Sequence, residues 1–359
     1  MRINEPVYLH LLNLQKYDKA AFSFQCEIDM FAEINPLKID MKKLAVIAFG
    51  GNAIQRGDEM GTIEQQELNA TETLENLIHL IKAGYELVIT HGNGPQVGNI
   101  LLRNDAGQQM YNIPAMPLDI CVADSQGGIG YMIERMMRNV LNKHGIKKNV
   151  ITMVTLVEVD KNDPAFQNPS KRIGKTYSKE QSERLALEHN WIFKPSTKHT
   201  DAYQRVVSSP TPLEIINKET IQLLVQNGNI VIAAGGGGIP VYFDEEKNVR
   251  TLDAVIDKDM ASSLLATNIN ADEFYVLTDV SFIYKDFGKP TQEKLEFLNY
   301  EDTVKYMEAG TFAEGTMEPK IRACLNFIKN GGQKSVITEA KKLEDKSYGS
   351  KITMEYDNA

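Results

Sequence analysis

The sequence has few cysteines, no long apolar run and no excess of basic charge, and each shortage closes off a class of protein. Its three cysteines, Cys26, Cys121 and Cys324, lie far apart with no Cys-x-x-Cys pair. That usage argues against a disulfide framework or a thiolate zinc site and fits reduced core thiols in a cytosolic protein. No stretch approaches the roughly 20 apolar residues that span a bilayer. The N-terminus also lacks a basic region followed by an apolar stretch and a small-residue cleavage site, so the expected compartment is the cytoplasm. A formal net charge of -9 and a pI near 5.3 disfavour nucleic acid and acidic membranes as partners, since either calls for a basic face.

Familiar catalytic signatures are missing too. The six histidines are scattered, and neither an HRD-type loop nor HExxH occurs. Gly92, Gly94 and Gly98 have the wrong spacing for a dinucleotide GxGxxG, which disfavours a nicotinamide dehydrogenase. Gly174-Lys175-Thr176 ends like a Walker A loop, but Pro169 stands where its first glycine belongs and no apolar strand precedes it. No internal repeat or low-complexity tract stands out.

What remains is an ordinary globular composition, 42% apolar and 24% charged over 359 residues, long enough to bury a large core. Composition shifts at Met41, where Met-Lys-Lys runs into an apolar stretch and then Gly50-Gly51. Residues 1–40 carry aromatic and acidic residues without a sustained period and read as an extension outside the core, with residues 41–359 as the working domain. Short apolar runs at 45–49, 87–90, 150–154, 230–234 and 274–277 suit strands buried on both faces of a parallel sheet. Amphipathic helix candidates, such as 64–83 and 130–144, lie between them. This alternation predicts a three-layer α/β/α sandwich around a mainly parallel sheet. Residues 160–212 break the rhythm, being polar and rich in Lys, Pro and Ser except at Arg205-Val206-Val207, and read as a protruding lid subdomain.

Three of the strand candidates end in glycines: Gly50-Gly51-Asn52-Ala53, Gly92-Asn93-Gly94-Pro95-Gln96 and Gly235 to Gly238. Ligands of an open parallel sheet bind beyond the carboxyl ends of its strands. Glycines there let backbone N–H groups approach a phosphate, and a following helix N-terminus adds a favourable dipole. One such turn could be mere chain reversal, whereas three together point to anion binding. Pro95 suits the first position of a helix, and Asn52 and Asn93 can add neutral amide donors.

Phosphoryl transfer is mainly positioning and charge neutralisation, and lysines supply point charges for it. Lys171 follows Asn168-Pro169-Ser170. Lys258 stands between Asp257 and Asp259, which can hold its ammonium in place. Lys320 follows Pro319 and opens an amphipathic stretch, which puts it in a first helical turn facing a bound anion. An acceptor that is already a carboxylate needs no base to remove a proton, so the missing base points toward acyl phosphate chemistry. Both substrates are anionic, which calls for Mg²⁺ delivered with the nucleotide rather than a metal held by protein ligands. Thr278-Asp279 and Tyr284 lie where a nucleotide could bind after a late strand.

Taken in order, these strings, with Gln126-Gly127-Gly128-Ile129-Gly130-Tyr131, Gly235-Gly236-Gly237-Gly238-Ile239-Pro240-Val241 and Pro319-Lys320, resemble the carbamate kinase family over nearly all of 41–359. His91-Gly92-Asn93-Gly94-Pro95-Gln96-Val97-Gly98 is the most specific of them. The resemblance implies a homodimer with an eight-stranded sheet, moving a phosphoryl group between carbamoyl phosphate and ADP to give ATP and carbamate at the end of arginine breakdown. It implies that Gly50, Gly51, Asn52, Gly92, Asn93, Gly94 and Gln96 hold carbamoyl phosphate. Gly235, Gly236, Thr278, Asp279, Tyr284 and Met317, on the 213–359 side, would hold the nucleotide. Lys171, Lys258 and Lys320 match the phosphate-contacting lysines, with Asp257 organising them. Arg172 and Lys175 depart from the family's usual prolines, and Thr316 from its serine. Other amino acid kinases, for acetylglutamate, glutamate or uridylate, and a catalytically silent nucleotide-binding regulator remain as alternatives.

Overall fold

The computed structural model describes residues 42–57, 59–196, 199–312, 316–345 and 347–356. The expected extension, 1–40, lies outside them. At the centre is an eight-stranded sheet: β1 Leu44–Phe49, β2 Glu86–His91, β3 Val150–Thr152, β4 Ile230–Ile232, β5 Glu273–Thr278, β6 Phe297–Asn299, β7 Lys334–Glu339 and β8 Ser350–Thr353. Their order across the sheet is β6-β8-β7-β5-β1-β2-β4-β3, and every neighbouring pair is parallel except β7 with β8.

β1 shows why the sheet is central. All six residues of Leu-Ala-Val-Ile-Ala-Phe are buried, so the strand has no solvent face. Ala45, Ile47 and Phe49 pack among α1 (Ile63–Glu75) and α3 (Leu118–Lys143), while Leu44, Val46 and Ala48 pack among α4 (Lys258–Asn268) and α5 (Met317–Lys329). Each large side chain so buried contributes roughly 1.5–3 kcal/mol. The expected helix at 64–83 breaks after Glu75, where Leu77 N–H bonds back to the Leu74 carbonyl and the His79 ring takes the Asn76 carbonyl at 2.7 Å. A short helix, Ile78–Lys82, follows. The expected helix at 130–144 begins instead at Leu118, because Gly127, Gly128 and Gly130 lie inside α3 rather than before it. Packing overrides their poor helix propensity, and Gly130 meets Thr152 of β3 where a Cβ would clash. The run at 230–234 stops at Ile232 because Ala234 adopts a left-handed φ of 50° that turns the chain into Gly235.

Residues 160–212 hold a separate antiparallel sheet of Lys171–Tyr177, Tyr203–Val207 and Ile192–Pro195, with Tyr203–Val207 in the middle. A helix, Lys179–His189, is opened by a Ser178–Gln181 capping box. The insertion begins and ends side by side, because the strands flanking it, Leu156–Val159 and Pro212–Ile215, pair antiparallel. Gly174-Lys175-Thr176 is part of the first small strand, and Gly174, at φ 68°, sits where the ladder shifts register. The Walker-like string is therefore a β-bulge. No helix among the described residues is long and apolar enough to cross a membrane.

Candidate active site

Parallel pairing puts the glycine turns on one edge. Phe49 lies beside His91, Ile89 beside Ile232 and Ala48 beside Val276, so Gly50, Gly92, Gly235 and Asp279 emerge at the same end of the sheet. α2 (Gly94–Tyr111) starts directly from the second turn with a proline in its first turn. Its N-terminal N–H groups and those of α4 and α5 give this edge positive potential.

The three lysines meet here through two carboxylates. Asp257 is the N-cap of α4: its Oδ1 accepts from the backbone N–H groups of Asp259 at 3.0 Å and Met260 at 3.3 Å. Its Oδ2 accepts from Lys171 Nζ at 3.0 Å, tying the small sheet to α4. Asp259, only 3% exposed, bridges the other two, accepting from Lys258 Nζ on one oxygen and from Lys320 Nζ at 3.0 Å on the other. Burial alone would raise the Asp259 carboxyl, but the charges and hydrogen bonds of Lys258 and Lys320 outweigh it and hold the group down at about 2. Of the three lysines, Asp257 pairs with Lys171 only. Lys258 and Lys320 belong to Asp259, which the sequence places beside Lys258 as a holder of its ammonium but gives no link to Lys320.

His91, at the end of β2, is 1% exposed, and burial pushes its ring down to about 4, with the Lys258 charge adding to the effect. It is therefore neutral near pH 7, and its Nδ1–H donates to the Gly92 carbonyl at 2.9 Å. Asn93 donates from Nδ2 to Ser125 Oγ at 2.8 Å, and Gln96 donates to Gln66 Oε1 at 2.9 Å, so both amides brace the turn against α3 and α1. Gly92 packs on the Lys258 stem.

A cavity of about 720 Å³ opens at the ends of β1, β5 and β7. It is lined by Gly50, Gly51, Thr278, Asp279, Tyr284, Met317 and Lys320, which brings one glycine turn and one lysine together with most of the expected nucleotide residues. Asn52 lies in the single 3₁₀ turn that follows Gly50. Gly235 and Gly236 do not line this cavity. They are buried against His91 and Asn93, where any Cβ would collide, and Gly236 also needs its φ of 66°. Their place is beneath the second glycine turn, away from the nucleotide residues with which they were grouped. Phe282, Phe287 and Phe312 add an aromatic wall that the sequence reading missed, although two of them flank Tyr284 within three residues.

With this geometry in view, comparison with known proteins is decisive: the profile of the amino acid kinase family matches residues 43–339. The chain belongs to the amino acid kinase family. It is 46% identical over 302 residues to the carbamate kinase of Pyrococcus furiosus, covering 84% of this chain and 95% of that one. It is 42% identical over 294 residues to the carbamate kinase of Trichomonas vaginalis, covering 82% and 93%. Among solved structures, the carbamate kinase of Giardia lamblia bound to AMP-PNP superposes with a TM-score of 0.81 at 38% identity, over 87% of this chain and 98% of that one.

Proposed function

We propose that this kinase transfers a phosphoryl group reversibly between carbamoyl phosphate and ADP, giving ATP and carbamate. The observation that carries the reading is the triad of Lys171, Lys258 and Lys320, anchored on Asp257 and Asp259 between the glycine turns and the aromatic cavity. The nucleotide's base fits the wall of Tyr284, Phe287 and Phe312, and its phosphates fit Gly50, Gly51 and Lys320. Carbamoyl phosphate fits the turn from Gly92 to Gln96. The group leaving the phosphorus is a carboxylate oxygen, which needs no proton, and the neighbouring imidazole of His91 is buried and engaged with its own loop. The lysines' part is to meet the negative charge that spreads over the transferring group.

Asp257 and Asp259 are already engaged by lysines, and among the described residues no group of three or more His, Cys, Asp or Glu is placed to hold a metal. Mg²⁺ fits as a companion of the nucleotide's phosphate oxygens, where it offsets their charge. Exposed Met110, Tyr111, Ile113, Met116 and Ile120, at the junction of α2 and α3, form an apolar stretch suited to a homodimer contact. The small sheet carrying Lys171 would act as a lid. A cytoplasmic enzyme at the last ATP-forming step of arginine breakdown would use this chemistry.

A coupled assay tests the reading: ATP should form from ADP and carbamoyl phosphate with Mg²⁺, and folded protein giving none would overturn it. Because the family match begins at residue 43, a chain started at Met41 is expected to keep its activity. Loss of most activity in that truncation would place residues 1–40 in the working fold.

A further inference from the structure

Glu339 ends β7 and lines the same cavity as Tyr284, Met317 and Lys320. It was not among the residues the sequence singled out. Its carboxylate is set by a short relay: Tyr348 OH donates to Ser281 Oγ at 2.7 Å, and the Ser281 hydroxyl donates to Glu339 Oε1. The relay is itself packed in place, since the Tyr348 ring lies 4.7 Å from that of Phe282, another cavity residue. Glu339 Oε2 has no protein partner among the described residues. Glu72, also on the cavity, differs in being paired with Arg56 at 2.6 Å. A carboxylate with one oxygen anchored and the other left over is a directed acceptor, because the relay, whose hydrogen bonds polarise one another, fixes the orientation of the group.

Resting on the nucleotide reading above, we propose that Glu339 recognises the ribose of the nucleotide, its Oε2 accepting a hydrogen bond from a 2′- or 3′-hydroxyl. Phosphates and the ring nitrogens of adenine offer a carboxylate no donor; the exocyclic amino group does, but it belongs to the base matched to the aromatic wall, which leaves the sugar hydroxyls to Glu339. An acidic side chain beyond a parallel strand serves ribose in the same way in dinucleotide-binding folds, for the same chemical reason. The site would then discriminate ribonucleotides from deoxyribonucleotides.

The test compares kcat/KM for ADP, 2′-deoxy-ADP and 3′-deoxy-ADP in the wild-type enzyme and in Glu339→Gln. Hydrogen bonds to charged groups suggest that the wild type prefers ADP over at least one deoxy analogue by about tenfold or more. The preference should shrink to about two- or threefold in Glu339→Gln, whose amide keeps the shape but not the charge. If that variant does not fold, Ser281→Ala, which loosens the carboxylate without removing it, should narrow the same ratio. Equal use of all three nucleotides by the wild type, or an undiminished preference in the folded variant, would overturn the assignment. No turnover of ADP itself would instead overturn the kinase reading on which it rests.

Discussion

Lys258→Ala is expected to lower kcat for ATP formation by about 10²- to 10³-fold, the roughly 3–4 kcal/mol typical of one lost transition-state contact, while changing the KM for ADP far less. The structure gives reasons to expect the variant to fold. Asp259 keeps Lys320 as a partner, so no buried carboxylate is left alone, and the cap on α4 belongs to Asp257. The lost group is an ammonium fixed between a buried carboxylate and the Gly92 turn. Lys258→Arg should restore little, because Gly92 packs on the lysine stem and a planar fork cannot occupy the place of a compact charge. Near-normal kcat at saturating ADP and carbamoyl phosphate, in a variant folded by circular dichroism, would remove Lys258 from the chemistry and leave it to Lys171 and Lys320.

Asp259→Asn should damage both stability and rate. The amide is nearly isosteric, but it leaves Lys258 and Lys320 facing each other without their shared counter-charge. Removing one partner from a buried ionic group costs about 3–5 kcal/mol, and the partial exposure of both lysines puts this case near the lower figure. The acid limb gives a sharper signature. A carboxyl held at about 2 in the fold, against 3.8 as its ordinary value, adds stability that is fully present above the ordinary value. That contribution, on the order of 2 kcal/mol, is lost as the pH falls toward about 2. The stability gap between wild type and Asp259→Asn in urea unfolding should therefore narrow as the pH is lowered over that range. A constant gap would mean that the carboxylate's charge is not what stabilises the pair.

The buried strands were legible because a parallel sheet covered on both faces leaves no room for alternation: Leu-Ala-Val-Ile-Ala-Phe can hardly be read otherwise. The glycine turns were legible for a related reason, since parallel strands deliver their ends to one edge. Less visible was which glycines line the cavity and which are closed in by packing partners. Gly235 and Gly236 have the look of a phosphate loop, but their missing side chains make room for His91 and Asn93. Gly127, Gly128 and Gly130 look like a break and lie within a 26-residue helix. In both cases the deciding partner is distant in sequence, and a local pattern carries no trace of it. The division of labour between Asp257 and Asp259 was hidden similarly. Two aspartates around one lysine are symmetric on paper, but the first turn of α4 directs one to cap the helix and the other inward to a lysine 61 residues away. Glu339 had no sequence signal, because its role depends on a serine and a tyrosine in two other segments.

Of the two anchoring carboxylates, Asp259 is sealed and Asp257 is not, and the difference gives the site one firm grip and one exchangeable one. The Lys171–Asp257 pair has side chains 37% and 28% exposed, and it spans from the small sheet to α4. Dissolved ions screen such a pair over a Debye length of about 8 Å at physiological salt, whereas the buried Lys258–Asp259–Lys320 group is shielded from them. On the proposed reading, Lys171 is thus the lysine expected to exchange its carboxylate for an arriving phosphate at the least cost. Because the pair is in contact and part-buried, added salt is expected to weaken it only modestly, and the Lys258–Asp259–Lys320 group less still.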